Sequence, residues 1–209
     1  MSLAEETLAA HAAKGLDHMI FRTGWFITRD EHRADGHFPL PDFQYCADVL
    51  EEYVNYKLII LTKSRQMLIT WITAAYLVAC ALINKNELSI YQTKREEDAQ
   101  SFMERVHFLY NHLPEYLRKI RPKQPPQKEN KMKLELITQE SRVWGIPSGG
   151  DVVRMQTITR FVSDECNFQP EAKASLRAMA PALGEAGQAI YISTACAGGI
   201  QIGLIAGEW

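Results

Sequence analysis

Three short segments carry residue types that could act together on a phosphate ester. The first is Lys63-Ser64-Arg65-Gln66-Met67-Leu68-Ile69-Thr70. It joins an apolar run, Lys57–Thr62, to a longer apolar segment, Leu68–Ile83. A strand leading through a polar loop into a helix presents free N–H groups and a positive dipole end, which suits phosphate. Lys63 and Arg65 supply cations, and Thr70 places a hydroxyl at the helix start where it could hold Mg²⁺. Only Thr70 agrees with the GxxxxGK[ST] pattern, with Lys63, Leu68 and Ile69 standing at the first Gly, the second Gly and the Lys. A leucine turned left-handed at Leu68 costs on the order of 1–2 kcal/mol. An ordinary strand-to-helix turn would have a similar composition.

The second segment is Phe161-Val162-Ser163-Asp164-Glu165, an apolar strand ending in paired acids. There Asp164 could hold a metal through water and Glu165 could polarise the attacking water as a general base. Two acids capping a strand end is the plainer reading. The third is Ser193-Thr194-Ala195, small residues after the apolar run Gln188–Ser193. Such residues can sense a terminal phosphate, although taken singly they say little. The three segments follow the order of a P-loop ATPase, each at the carboxyl end of a predicted strand, where ligands bind in parallel α/β sheets.

The elements that must position them read as follows. The pattern predicts a helix over Ala4–Met19, ending or broken near Gly15, and an irregular stretch over Phe21–Asp42. It predicts a helix over Asp42–Tyr56 capped by Asp42, with Tyr45, Val49, Leu50 and Tyr53 on one face. Strands are expected at Lys57–Thr62, Glu87–Gln92, Thr157–Ser163 and Gln188–Ser193. Helices are expected at Leu68–Ile83, Lys94–Leu113 and Glu171–Leu183, and a hairpin at Lys131–Ile137 and Ser141–Ile146. Alternating strands and helices predict an α/β fold with a mainly parallel sheet flanked by helices on both faces. With the three segments in their order, it is read as a P-loop NTPase of the ASCE type.

Composition sets the outer bounds. The chain of 209 residues is 46% hydrophobic and 23% charged, ordinary globular values that exclude a disordered chain. Its length suits one domain. Net charge is -2, but Met1–Tyr56 holds ten acids and four Lys/Arg, whereas Leu117–Lys133 holds seven Lys/Arg and one acid. That basic stretch (Arg118, Lys119, Arg121, Lys123, Lys128, Lys131, Lys133) could contact DNA phosphates or be a solvated loop. Aromatic residues do not interleave with it, so base stacking on single strands is not suggested.

Cys46, Cys80, Cys166 and Cys196 form no CxxC pair and read as reduced, buried thiols. No secretory leader is expected. Met67–Ile83 is uncharged over seventeen residues and is read as a helix buried on all sides rather than a membrane span. His32, Asp35 and His37 are close in sequence, but too few ligands accompany them to suggest a zinc site. No Gly-x-Ser-x-Gly elbow supports a serine nucleophile.

Over Pro39–Trp209 the sequence resembles the ATPase domain of the large terminase subunit of tailed bacteriophages, the DNA-packaging motor. KSRQMLIT (Lys63–Thr70) keeps Lys63, Arg65, Gln66 and Thr70 of the family's Lys-x-Arg-Gln-x-Gly-Lys-Thr loop. FVSDE would be its Walker B strand, STA its coupling motif, and Thr93–Arg105 the helix after its second strand. The resemblance implies an ATP- and Mg²⁺-dependent motor for double-stranded DNA. Lys63 would reach the β/γ-phosphates, and the backbone of Ser64, Arg65, Gln66, Met67, Leu68 and Ile69 would cradle them. Gln44 would lie near the adenine. Arg154, with Arg142 the weaker candidate, would act as an arginine finger on a neighbouring subunit of a ring.

The resemblance also implies a portal and a small terminase subunit as partners, no membrane, and a virus-encoded protein in the cytoplasm of the infected bacterial host. Residues 1–38 are read as a helix and lead-in, and 39–209 as the ATPase domain, a fragment or truncated product without the family's nuclease domain. Leu68-Ile69 in place of Gly-Lys raises the alternative of a degenerate P-loop domain that binds DNA or a capsid or portal partner without turnover. A helicase-like translocase shares the fold, but the sequence lacks recognisable further helicase motifs.

Overall fold

The computed structural model describes residues 3–29, 36–64, 67–118, 130–148, 157–169, 172–183 and 187–194. Helix α1 (Leu3–Ala12) ends before Gly15, whose φ of 104° suits only glycine without strain, and a π-helical turn follows at His18–Arg22. The predicted irregular stretch contains a short antiparallel ribbon, β1 (Ile27–Arg29) with β2 (His37–Pro39). Three-residue strands beside Gly24, Gly36 and Pro39 leave no periodicity to read. Helix α2 (Gln44–Asn55) is capped at Phe43 without a side-chain acceptor. The expected cap, Asp42, instead pairs with Arg22.

The main sheet has six strands: β3 (Leu58–Lys63), β4 (Leu88–Thr93), β5 (Lys133–Leu136), β6 (Ser141–Pro147), β7 (Arg160–Asp164) and β8 (Gln188–Thr194). Their spatial order is β3-β8-β7-β4-β6-β5, parallel except for the β5–β6 hairpin. The loop strand β3 and the acid strand β7 are thus separated by β8.

Residue alternation along the strands makes two cores. On one face Tyr91, Val162, Ile190 and Ile192 pack with helices α3 (Ile69–Ile83) and α4 (Glu96–His112). Leu8, Met19, Ile20, Trp25 and Phe26 of the N-terminal region join that cluster. On the other face Ile90, Phe161, Ala189 and Tyr191 pack with Met179 and Leu183 of the helix that follows the short α5 (Glu115–Arg118), namely α6 (Ala172–Leu183). Thirteen residues of α3 are buried, so it is a core helix. Among the described residues no helix is long and apolar enough to cross a membrane. Cys46, Cys80 and Cys166 are free and buried.

Glycine is required where α4 meets β6. A Cβ on Gly145 would sit 2.7 Å from Met103 Cγ and 3.1 Å from the Ala99 carbonyl oxygen. The amino ends of β4, β7 and β8 are held by a buried polar network. Glu87, 1% exposed at its side chain, pairs with Arg160, accepts from Asn84 Nδ2 at 2.7 Å and from Ser89 Oγ at 3.2 Å. Arg160 Nε donates to the Tyr76 hydroxyl at 3.0 Å, and Gln188 Nε2 donates to the Tyr53 and Tyr56 carbonyls, which fixes α2 and α3 against β7 and β8.

Candidate functional site

Strand register brings the chemical residues to one edge. Lys63 lies beside Thr194 across the β3–β8 pairing, and Asp164 lies beside Ile192 across β7–β8. Lys63, Asp164 and Thr194 end their strands. This is the carboxyl edge, the side on which open parallel sheets bind ligands.

Glu165 follows Asp164 with a φ of 52°, which turns the chain back so that its carboxylate faces Lys63. Lys63 Nζ donates to Glu165 Oε1 at 3.0 Å. Thr194 donates twice more, from Oγ1 to Oε1 at 2.9 Å and from its N–H to Oε2 at 3.3 Å. Burial raises the Glu165 pKa, but the Lys63 and Thr194 donors outweigh it and the net shift is downward. Glu165 is therefore an anion at neutral pH, held by three donors.

Asp164 is buried, 9% exposed. Its Oδ1 accepts from the Glu165 N–H at 2.9 Å, and its Oδ2 accepts from the Tyr91 hydroxyl. Burial dominates and pushes its pKa up, while the Tyr91 hydrogen bond and the charge on Lys63 partly counter it. The two adjacent acids are thus shifted in opposite directions by their surroundings.

The loop that enters α3 carries a left-handed Leu68, φ 55° and ψ 4°, at the position of the pattern's second Gly. No side chain caps this helix. The N–H of Ile72 bonds to the Leu68 carbonyl at 3.0 Å, so the amides of Ile69, Thr70 and Trp71 lie before the first intrahelical bond. Ile69, at the pattern's Lys position, is 3% exposed and belongs to the core. It offers a ligand backbone only. Met67 and Leu68 are half-buried against the same core, and Ser64 is exposed.

Thr70, Asp164 and Glu165 line a cavity of about 240 Å³. Lys94, in the turn after β4, and Ser101 and Arg105 of α4 line it as well. The donor set fits a Mg²⁺-bound polyphosphate: the Thr70 hydroxyl and Asp164 carboxylate are hard oxygen ligands, and uncapped amides and cations face the anion.

Other predicted residues lie elsewhere. Gln44 is exposed, its amide donates to Asp48 Oδ1 at 2.7 Å, and it does not line this cavity. Ser193 is fully buried and its Oγ accepts from the Asn167 N–H at 3.3 Å, so it touches the turn after Glu165 and not the cavity. Arg142 lies near the amino end of β6, away from the carboxyl edge, 3.9 Å from Glu135. His37 packs on Phe108 and His112, and no metal-binding group of three side chains occurs among the described residues. Lys133 lies 3.9 Å from the centroid of the Trp144 ring. Arg65, Gln66, Arg154, Ala195, His32, Asp35, Lys119, Arg121, Lys123, Lys128 and Cys196 lie outside the described residues.

Sequence reasoning missed Tyr91 and Arg105. Tyr91 sits inside an apolar strand, where a tyrosine reads as core. Arg105 had a usable signal: Asp98, Ser101 and Arg105 are spaced by three and four, which sets them on one polar stripe of α4.

No protein-family model and no curated protein matches the chain. Solved structures do. The large terminase of the HK97 bacteriophage aligns with a TM-score of 0.65 and 17% identity, over 86% of this chain and 37% of that one. The large terminase ATPase domain of Thermus phage P74-26 aligns at 0.58 and 14%, over 73% of this chain and 64% of that one. The large terminase of the thermophilic bacteriophage D6E aligns at 0.55 and 11%, over 74% of this chain and 39% of that one. The chain spans less than two thirds of each of these proteins. It has the P-loop NTPase fold that these phage large terminases share.

Proposed function

We propose that the chain is the ATPase portion of a phage large terminase, which binds and hydrolyses ATP to drive double-stranded DNA into a capsid. The observation that carries the proposal is the convergence of Lys63, Thr70, Asp164, Glu165 and Thr194 at the carboxyl edge, with one strand between β3 and β7.

Lys63 and the amides that open α3 hold the phosphates. Thr70 and Asp164 hold Mg²⁺, which supplies charge neutralisation at the phosphoryl oxygens. Glu165, kept an anion by its Lys63 and Thr194 donors, takes the proton of the attacking water. For that, Lys63 must exchange Glu165 for phosphate, and Thr194 then remains as the donor that aims the carboxylate. Thr194 also connects through Asn167, whose Nδ2 donates to the Thr194 carbonyl at 3.4 Å, to the turn after Glu165. Loss of the terminal phosphate is read out along Ser193–Ala195 by this route. Arg154 completes the site of a neighbouring subunit in a ring, and the portal and the small terminase subunit are the partners in the infected cell. Gln44 would recognise the adenine outside the described cavity, and only by giving up its bond to Asp48.

The test is DNA-stimulated ATP hydrolysis with and without Glu165→Gln. General-base catalysis contributes about 10²–10⁴-fold, and a loss of that order is expected. Unchanged turnover contradicts the assignment.

A second reading is favoured by two observations, the burial of Ile69 and the left-handed Leu68. It is a degenerate P-loop domain that binds DNA or a capsid or portal component without turnover. Its signature is binding indifferent to nucleotide.

A further inference from the structure

Arg105 belongs to α4 and lines the same cavity as Thr70, Asp164 and Glu165. Its guanidinium is held from two sides. Nη1 donates to the Ser101 carbonyl oxygen and to Ser101 Oγ, both at 2.9 Å. The group lies 5.7 Å from the centroid of the Trp71 ring, on the helix whose N-terminus opens the phosphate loop. It is half-buried, yet no described carboxylate pairs with it. Asp98, two turns earlier on α4 and lining the same cavity, does not reach it.

A guanidinium taken partly out of water and fixed in place without a counter-charge is costly unless an anion completes it. The Ser101 bonds use one corner of its fork. Nε and Nη2 remain for a planar, bidentate acceptor, the geometry in which arginine recognises phosphate. The anion must share the cavity with Thr70, Asp164 and Glu165, hence with the metal and the attacking water. That is the terminal phosphate of a nucleoside triphosphate.

We propose that Arg105 is an intrasubunit ligand of the terminal phosphate, supplied by the same chain as the phosphate loop. The inference rests on the ATP-binding reading and adds a residue that the loop and strand motifs do not contain. It makes α4 the element that distinguishes triphosphate from diphosphate. Lys63 approaches the phosphates from the loop strand, and Arg105 closes them from the neighbouring helix.

The experiment is calorimetric titration of the chain, in Mg²⁺, with ADP and with a β,γ-imido ATP analogue. It compares wild type with Arg105→Ala, Arg105→Gln and Arg105→Lys. A hydrogen-bonded charge is worth about 10- to 100-fold in affinity. A loss of that order is expected for the triphosphate analogue in the Ala and Gln variants, with ADP affinity changed less than about twofold. Arg105→Lys keeps an aliphatic stem over Trp71 and a charge, so the result does not depend on the alanine variant folding. It should recover only part of the triphosphate affinity.

An equal loss for both nucleotides assigns Arg105 a merely structural role and overturns the inference. So does an unchanged preference for triphosphate, and in both cases the ATP-binding reading stands. Failure of the wild-type chain to bind either nucleotide overturns the reading and the inference together.

Discussion

Lys63 Nζ and Glu165 Oε1 lie 3.0 Å apart although 102 positions separate them in sequence. The residue read as the phosphate-binding lysine and the residue read as the general base neutralise each other. Phosphate therefore competes with Glu165 for Lys63. Glu165 remains 37% exposed, so solvent screens the pair and its own contribution to stability is small, within about 1 kcal/mol. A double-mutant cycle with Lys63→Met and Glu165→Gln, read by denaturant unfolding, should give a coupling no larger than that. A coupling of several kcal/mol would make the pair a structural element and not an exchangeable one.

The two acids should respond to pH in opposite senses. Glu165 has a lowered pKa, so its stabilising contribution is present above its ordinary value of 4.5 and fades as pH falls through the lowered value. Asp164 has a raised pKa, so its neutral form favours the fold. That contribution is present below 3.8 and is lost as pH rises through the raised value. Asp164→Asn should therefore raise the melting temperature at neutral pH while abolishing the Mg²⁺ dependence of nucleotide binding. Thermal unfolding at pH 7 checks the first half and titration checks the second. A destabilised variant would mean that the ionised carboxylate is better solvated than its burial implies.

Leu68 holds a left-handed backbone at φ 55°. Leu68→Ala removes packing and keeps the strain, whereas Leu68→Gly removes both. Relief of a left-handed conformation is worth on the order of 1–2 kcal/mol. Leu68→Gly should thus be more stable than Leu68→Ala by about 1 kcal/mol, the reverse of the order in a helix interior. Chemical denaturation of the two variants decides it, and an alanine variant as stable as the glycine variant removes the strain argument.

Arg160 sits against Glu87, whose side chain is 1% exposed. Arg160→Ala leaves a buried carboxylate without its cation, which typically costs about 3–5 kcal/mol. The loss should show in unfolding midpoints, and Glu87→Gln in the same background should recover part of it. A loss below about 1 kcal/mol would mean that Asn84 and Ser89 suffice for Glu87.

Much of the architecture was legible because α3 and the strands announce themselves. Leu68–Ile83 is long and apolar, and KLIILT, FVSDE and QAIYIS end in the polar residues that the sheet edge collects. The parallel register then follows from strands joined by helices. The β1–β2 ribbon was not legible, since three-residue strands show no period. Nor was the cap of α2, where the Arg22 pairing takes the carboxylate a local rule assigns to the helix. At the site, residue types identified Lys63, Asp164, Glu165 and Thr194, but not that Glu165 holds Lys63. Backbone periodicity likewise cannot show that Tyr91 reaches Asp164, which depends on β4 pairing with β7, or that Arg105 turns into the cavity, which depends on how α4 packs on the sheet.

The central claim is that Lys63 serves a phosphate ligand although a lysine is missing from the usual place in the loop. Calorimetric titration with a non-hydrolysable ATP analogue and Mg²⁺, on wild type and Lys63→Ala, tests it most directly. Saturable binding that weakens at least about tenfold without Lys63 is predicted, the worth of one charge-assisted hydrogen bond. Binding of equal strength in the two proteins, or none at millimolar ligand, would contradict it.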